Sequence, residues 1–176
     1  MEFLKIVVLA TIAAIVYGIV HDQVTARVCL EYFTVFHPPV FETDSPTLLA
    51  LGWGIIATWW RGAFLGLLLA LSARLGTRPK IKAADLLRPV LVLLAWMASS
   101  AIVAGIVGFV LARFNLIDKP VWVQEKLLPA VQNAFMADWF AHNASYAVAT
   151  IGGFALCILT YRKRLKFHLR ATGALA

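Results

Sequence analysis

The stretch 5–39, KIVVLATIAAIVYGIVHDQVTARVCLEYFTVFHPP, decides the fold and carries the first sign of a functional site. Residues 6–20 are almost entirely apolar, and about 20 such residues span the ~30 Å hydrocarbon layer of a membrane. The run is longer than the roughly 7–15-residue apolar core of a cleaved signal peptide, so it predicts a transmembrane helix. Two histidines, an aspartate, a glutamate and a cysteine follow directly. A mostly apolar chain therefore concentrates ionisable groups at the end of its first helix.

The rest of the chain has the composition of an integral membrane protein. Of its 176 residues, 61% are hydrophobic and 14% are charged, against roughly 45–50% and 25% in soluble domains. The predicted fold is therefore all-α: a polytopic membrane protein with a bundle of four transmembrane helices, in which residues 1–176 form a single transmembrane domain. Apolar runs predict these helices at approximately 3–20, 47–73, 87–113 and 129–161.

Charge asymmetry predicts the orientation. Both termini and the segment that joins the second and third helices carry eleven basic and two acidic residues, whereas the opposite side carries four basic and seven acidic residues. Because Lys- and Arg-rich segments remain in the cytoplasm, we expect cytoplasmic N and C termini and an inner loop at 74–86, with outer loops at 21–46 and 114–128. The net charge of +7 is then a topology signal and does not indicate nucleic-acid binding. The basic tail is expected to lie on anionic lipid headgroups.

Local signals also predict one helix start and several close helix contacts. Ser45 and Pro46 suit the N-cap and the first position of the second helix. Small residues four positions apart let helix backbones approach closely, either inside one bundle or between the copies of a homo-oligomer or the subunits of a larger membrane complex. The pairs are Gly62 with Gly66, Ala101 with Gly105, and Ala104 with Gly108.

The two cysteines do not predict an internal disulfide. Cys29 falls in an outer loop and Cys157 near the inner end of the fourth helix, a membrane thickness apart, whereas a disulfide needs Cα atoms within about 4.4–6.8 Å. Cys29 is then buried, a metal ligand, or paired with another chain.

Ionisable residues from two distant segments are predicted to meet at the outer end of the bundle. Asp138 and His142 are four residues apart and so lie on one helix face. Counted from Tyr161 at the inner interface, Asp138 lies ~35 Å away, at the outer boundary and level with the end of the first helix. The candidate metal ligands in this layer are His21, Asp22, Glu31, His37, Asp138 and His142.

Imidazole and carboxylate ligands together suit zinc, iron or manganese, of which we expect zinc or iron. Three protein ligands and an open position would make a hydrolytic site in which a free carboxylate takes a proton from bound water. More carboxylates would instead make a di-metal site, and a haem between His21 and His142 is a further alternative. The candidate catalytic residues are Glu31, Asp22 and Arg61, of which Arg61 would orient an anionic group from mid-membrane depth.

Each candidate also has a purely structural interpretation. Arg27 and Glu31 are spaced for an ordinary ion pair on a helix, His37 could be an exposed loop residue, and His142 could hydrogen-bond a neighbouring helix. Arg61 could be a tie between helices. The metal hypothesis therefore depends on convergence, since ionisable groups at the edge of a bilayer point to a functional site.

The string YGIVHDQVTARVCLEYFTVFHPP, residues 17–39, resembles a motif of small uncharacterised bacterial inner-membrane proteins that share the order helix, HDQ, EYFT, HP. The resemblance covers about an eighth of the chain. It implies a polytopic protein of the bacterial inner membrane and implies no function.

The sequence as a whole predicts an integral membrane protein with a metal-binding site at the extracytoplasmic end of its bundle. The first hypothesis is a metal-dependent enzyme that acts on a lipid or a periplasmic substrate. The alternative is a non-catalytic accessory or assembly subunit of a larger membrane complex, so whether the protein is an enzyme stays open. A transporter is disfavoured, because the sequence has no pair of helices interrupted by Gly or Pro.

Overall fold

The computed structural model describes residues 1–172, and within this range every regular element is a helix. Four stretches are long and apolar enough to cross a membrane: α1, α3 together with α4, α5, and α7. These findings confirm the predicted all-α fold with four candidate transmembrane spans. The helices are α1 (Glu2–Val28), α2 (Glu31–Thr34), α3 (Pro46–Ile56), α4 (Trp59–Arg74), α5 (Ala84–Arg113), α6 (Val121–Lys126) and α7 (Pro129–Ala171).

Helix α1 continues eight residues beyond its predicted end at residue 20. Its last two turns keep a two-faced pattern, in which Val24 and Val28 are exposed while Thr25 and Ala26 are buried. With 27 residues, α1 is about 40 Å long at 1.5 Å per residue. The histidine and aspartate that open the predicted outer loop therefore lie on a rigid helix.

The second span consists of two helices separated by a short break. The Ser45 hydroxyl accepts a hydrogen bond from the Leu48 N–H at 3.5 Å, and Pro46 is the first helical residue, so Ser45 caps α3 as the sequence predicts. Helix α3 ends at Ile56 and α4 begins at Trp59. In the break, the Thr58 hydroxyl donates to the Gly54 carbonyl at 2.5 Å, a side-chain bond of the kind that bends helices.

The bundle is built from two pairs of spans. Helix α1 packs against the span formed by α3 and α4, and α5 packs against α7; the two helix pairs join where α4 packs against α7. Glycines create the close contacts inside each pair. A Cβ atom on Gly62 would lie 2.6 Å from the Ala14 Cβ, and one on Gly108 would lie 2.8 Å from the Met136 carbonyl oxygen. Most of the small-residue faces are therefore used for packing within this chain.

Arg164 ties together one end of the bundle, which we call the Arg164 end. Its side chain is 1% exposed and donates hydrogen bonds of 2.8–3.1 Å to four carbonyl oxygens in the last turn of α4 and in the loop that follows. They are the carbonyl oxygens of Ser72, Leu75, Arg78 and Pro79. The sequence places Arg164 in a basic tail on lipid headgroups. The structure instead buries it as a structural residue.

Large apolar side chains cover the outside of the bundle. Trp96, Ile102 and Ile151 are 68%, 64% and 71% exposed. A water-soluble protein rarely exposes so much contiguous apolar surface, whereas lipid tails accept it at no cost. The outer surface is therefore suited to hydrocarbon, and the polar groups lie inside or at the ends.

Candidate metal centre

Three of the six predicted ligands come together between the two helix pairs. His21 and Asp22 on α1 and His142 on α7 each offer one ligand atom, and these atoms all lie within 4.8 Å of one another. Asp22 is 6% exposed and His142 is 5% exposed. The structure thus contains a His21–Asp22–His142 group that could hold a metal ion.

His142 is oriented from both sides of its ring. Its Nδ1 lies 2.8 Å from the Asp138 carbonyl oxygen, which can only accept, so Nδ1 carries the proton. The other nitrogen, Nε2, lies 3.4 Å from Asp22 Oδ1. A neutral His142 thus points a lone pair at a carboxylate oxygen, an arrangement that needs a cation between them, either a proton on Nε2 or a metal ion.

His21 carries a buried ring nitrogen, Nε2, that has no hydrogen-bond partner in the described part of the chain. Its ring meets the His142 ring edge to face at 4.5 Å between centroids and stacks on Tyr17 at 5.7 Å. Because buried polar atoms are nearly always paired, this nitrogen is a candidate metal ligand.

Asp138 is the second unpaired group of this region. It is 1% exposed, and its Oδ2 has no hydrogen-bond partner in the described part of the chain. It lies one helical turn before His142 and stands outside the three-residue group. We call His21, Asp22, Asp138 and His142 the histidine layer.

His37 lies close to the layer and is separated from it by an aromatic ring. Tyr32 contacts both sides, with ring centroids 4.4 Å from His142 and 5.2 Å from His37. His37 Nδ1 donates to the Tyr32 carbonyl oxygen at 2.8 Å. Burial lowers the pKa of the His37 imidazole, which favours the neutral form. The structure therefore places this predicted ligand outside the group, as a half-buried packing residue.

Glu31 is held by its neighbour Cys29. The Cys29 thiol donates to Glu31 Oε2 at 3.4 Å, and Cys29 is a free cysteine with 2% of its surface exposed. Burial raises the pKa of this thiol to about 12, which disfavours the thiolate that metals bind. Of the three roles open to Cys29, the structure shows the buried one, and it does not bring Glu31 into the metal-binding group.

Arg61 lies deeper in the bundle, in the first turn of α4. Its guanidinium carbon is 4.1 Å from the centre of the Tyr146 ring and 4.9 Å from that of Trp60. Its Nε is buried without a hydrogen-bond partner within residues 1–172. Arg61 contacts Tyr146 through the face of the ring.

Sequence reasoning missed the aromatic and hydroxyl residues that support the layer. The Tyr17 hydroxyl and Ser145 Oγ are 2.7 Å apart, so this bond links α1 to α7 directly beside His21. The spacing of Tyr17 and His21, one helical turn, was the available signal. Arg27 also differs from the ion pair considered for it, because it donates to Gln23 and Thr47.

The geometry can be compared with that of known metal ions. Ligands at about 2.0–2.1 Å from a tetrahedral zinc are about 3.4 Å apart, which is the distance between His142 Nε2 and Asp22 Oδ1. The His21 ligand atom would have to move slightly closer to the other two ligand atoms to complete the set of three. Two histidines and one carboxylate occur in catalytic zinc sites and in non-haem iron sites. The contact between the two histidine rings leaves no space for a porphyrin between them.

Fold and site together define a helical protein with four candidate membrane spans and a buried group of two histidines and a carboxylate. Comparison of the sequence and fold with protein-family models, curated proteins and solved structures found no match.

Proposed function

We propose that the protein binds one divalent transition metal ion, zinc or iron, through His21, Asp22 and His142, and uses it as an enzyme. The observation that carries the proposal is the orientation of His142, whose Nδ1–H is held by the Asp138 carbonyl while Nε2 faces Asp22 at 3.4 Å. Holding the distal nitrogen of a ligand histidine in this way is the usual support of a metal site.

Three protein ligands leave a coordination position for water, as in hydrolytic metal sites. A metal ion held by these three residues would supply Lewis-acid activation of water for attack on an ester carbon or phosphorus of the substrate. Asp138 would take the proton of that water, because this buried carboxylate has a free oxygen one turn from His142. Asp138 would then give the proton to the leaving oxygen as the bond of that oxygen to the carbon or phosphorus breaks. The substrate is a lipid or a periplasmic molecule, in keeping with an extracytoplasmic location of the layer.

Elemental analysis of the detergent-purified protein tests the metal centre. We expect about one zinc or iron per chain in the wild type, and less than a tenth of that in His142→Ala and Asp22→Asn. His168→Ala is the matched control, since His168 lies towards the C-terminal end of α7. The proposal fails if no first-row metal co-purifies and none binds with better than micromolar affinity, or if His168→Ala loses as much metal as His142→Ala.

One observation favours the alternative of an accessory subunit. A groove of about 560 Å³ between α1, α5 and α7 is lined by small residues of α5, including Ala101 and Gly105. A Cβ on Gly105 would make ordinary van der Waals contact at 3.5 Å with Ala137 and Ala141 of α7, so the support for a partner comes from the open groove itself. For an accessory subunit, Gly105→Leu removes a partner from the complex on native gels and His142→Ala leaves it intact. For a metal enzyme, Gly105→Leu leaves the metal content unchanged.

A further inference from the structure

A cavity of about 100 Å³ joins the histidine layer to the interior of the bundle. His21, Asp22 and His142 line one end of it, and Arg61 lines its middle. We call it the central cavity. It has room for several water molecules, or for a phosphate group with a few carbon atoms of an attached chain, so a group bound there would lie next to the proposed metal.

Arg61 is a cation without a counter-ion in this cavity. It lies near the middle of the span Pro46–Arg74, forms no ion pair within residues 1–172, and has an unpaired Nε. The faces of Tyr146 and Trp60 hold its guanidinium group. Charged groups at such depth normally pair or mark a ligand path, and a guanidinium is well shaped to bind a phosphate or carboxylate.

Beyond Arg61 the wall of the central cavity becomes apolar. Ala149 and Gly153 on α7 lie there among large aliphatic side chains of α4, α5 and α7. A soluble anion such as inorganic phosphate would gain nothing from this surface, whereas a hydrocarbon chain would fill it. The large apolar lining residues include Leu65, Leu69, Val90, Leu93, Met97 and Leu156.

The histidine layer also borders the lipid-facing side of the bundle. Tyr17 and His21 line both the central cavity and the groove between α1, α5 and α7. The rest of that groove is almost wholly apolar, with Val24, Ile102 and Phe109 among its exposed side chains. Tyr17 and His21 therefore lie between the central cavity and a lipid-facing groove, so a ligand from the bilayer would pass these two side chains to reach the site.

We infer that the central cavity binds a membrane lipid with a phosphate headgroup. The phosphate pairs with Arg61 beside the histidine layer, and part of an acyl chain lies against the aliphatic wall. That this lipid is the substrate rests on the proposed metal centre, whereas its binding at Arg61 is measurable in metal-free protein.

Binding of fluorescent phosphatidic acid to the detergent-solubilised full chain, with and without metal, tests the inference. We expect Arg61→Gln to weaken binding at least tenfold and Arg61→Lys to weaken it less. Arg113→Gln, an exposed arginine at the end of α5, is the matched control and should bind like the wild type. Ala149→Leu, which fills the apolar part, should weaken phosphatidic acid binding as well. A far-UV circular dichroism spectrum and a gel-filtration profile like those of the wild type show that each variant is folded, whether or not the protein binds metal.

Competition experiments separate the possible ligands. We expect unlabelled phosphatidic acid to displace the probe, and inorganic phosphate and phosphatidylcholine to do so at least tenfold less effectively. Equal competition by inorganic phosphate would show a soluble-anion site, and equal binding by Arg61→Gln and Arg113→Gln would show that Arg61 plays no part. Either result overturns the inference. Arg61-dependent lipid binding in a protein that binds no metal would support the lipid site and refute only the metal centre.

Discussion

The two ends of the bundle bury ionisable side chains in opposite ways. At the Arg164 end, one guanidinium group donates to four carbonyl oxygens. In the histidine layer, His21 Nε2 and Asp138 Oδ2 have no partner within residues 1–172. Because an unpaired buried polar group costs free energy, the first arrangement stabilises the fold and the second leaves binding capacity for a ligand. Burial of an ionisable side chain alone therefore does not indicate a ligand-binding site. A buried polar atom without a hydrogen-bond partner is the stronger indication.

The largest effect is expected at the Arg164 end. Arg164→Ala should lower the free energy of unfolding by about 3 kcal/mol, because four carbonyl oxygens lose their donor and each unpaired group costs roughly 1–3 kcal/mol before the loop relaxes. Reversible unfolding in mixed detergent micelles measures this. The exposed neighbour Arg162 provides the control, and Arg162→Ala should stay within about 0.5 kcal/mol of the wild type. Equal losses of stability in the two variants would show that the hydrogen bonds of Arg164 do not stabilise the fold.

Zinc should stabilise the fold through the histidine layer and should not act through the Arg164 end. Zinc at 100 times its Kd should stabilise the wild type by about 2.7 kcal/mol and leave His142→Ala unchanged. Arg164→Ala, although weaker overall, should keep the full zinc-dependent increase. Unfolding curves with zinc and with a chelator give both values. A zinc response in His142→Ala as large as in the wild type would remove His142 from the site.

A smaller effect of opposite sign is expected at Asp138. Asp138→Asn should raise the unfolding free energy of the metal-free protein by about 1 kcal/mol, since burial of an unpaired carboxylate is costly. The same variant should lose hydrolytic activity while keeping the metal, a common trade between stability and function. Chelator-treated samples provide the measurement. A loss of stability like that of Arg164→Ala would show that Asp138 is a structural residue.

The smallest change is chemical and concerns Cys29, beside the layer. Burial raises the pKa of this thiol to about 12, so at pH 8 the folded protein holds far less thiolate than an unfolded chain with a thiol pKa near 8.5. We expect iodoacetamide to label Cys29 at least tenfold more slowly in the folded than in the denatured protein, as followed by peptide mass spectrometry. Because the pKa is raised, the stability contributed by the protonated thiol is lost as pH rises from about 8.5 towards 12. Equal labelling rates would mean that the layer is open to water.

Much of the fold follows from local sequence signals. Apolar runs predict the four spans, Ser45 and Pro46 mark the start of α3, and helix counting brings His142 to the level of His21 and Asp22. These predictions succeed because they depend on length and period alone. The same signals indicate that the end of α1 and the start of α7 supply the ligands of the candidate site.

Other features depend on contacts that the sequence does not show. The Tyr32 ring lies between His37 and His142 and so keeps His37 out of the group. The Glu31 carboxylate accepts a hydrogen bond from the Cys29 thiol. Arg164 resembles its basic neighbours in the tail, yet its side chain turns inward and donates to carbonyl oxygens at the end of α4 and in the following loop. Charge and spacing do not distinguish such residues, because long-range packing decides their partners. The expected cytoplasmic location of both termini stays a prediction.

X-ray absorption spectroscopy at the edge of the bound metal is the most direct test of a metal centre at these three residues. For the wild type we expect two imidazole nitrogens and one carboxylate oxygen at about 2.0–2.1 Å, and in His21→Ala the imidazole contribution should fall by half. A spectrum without imidazole scattering, or one unchanged in His21→Ala, would contradict a metal centre at His21, Asp22 and His142.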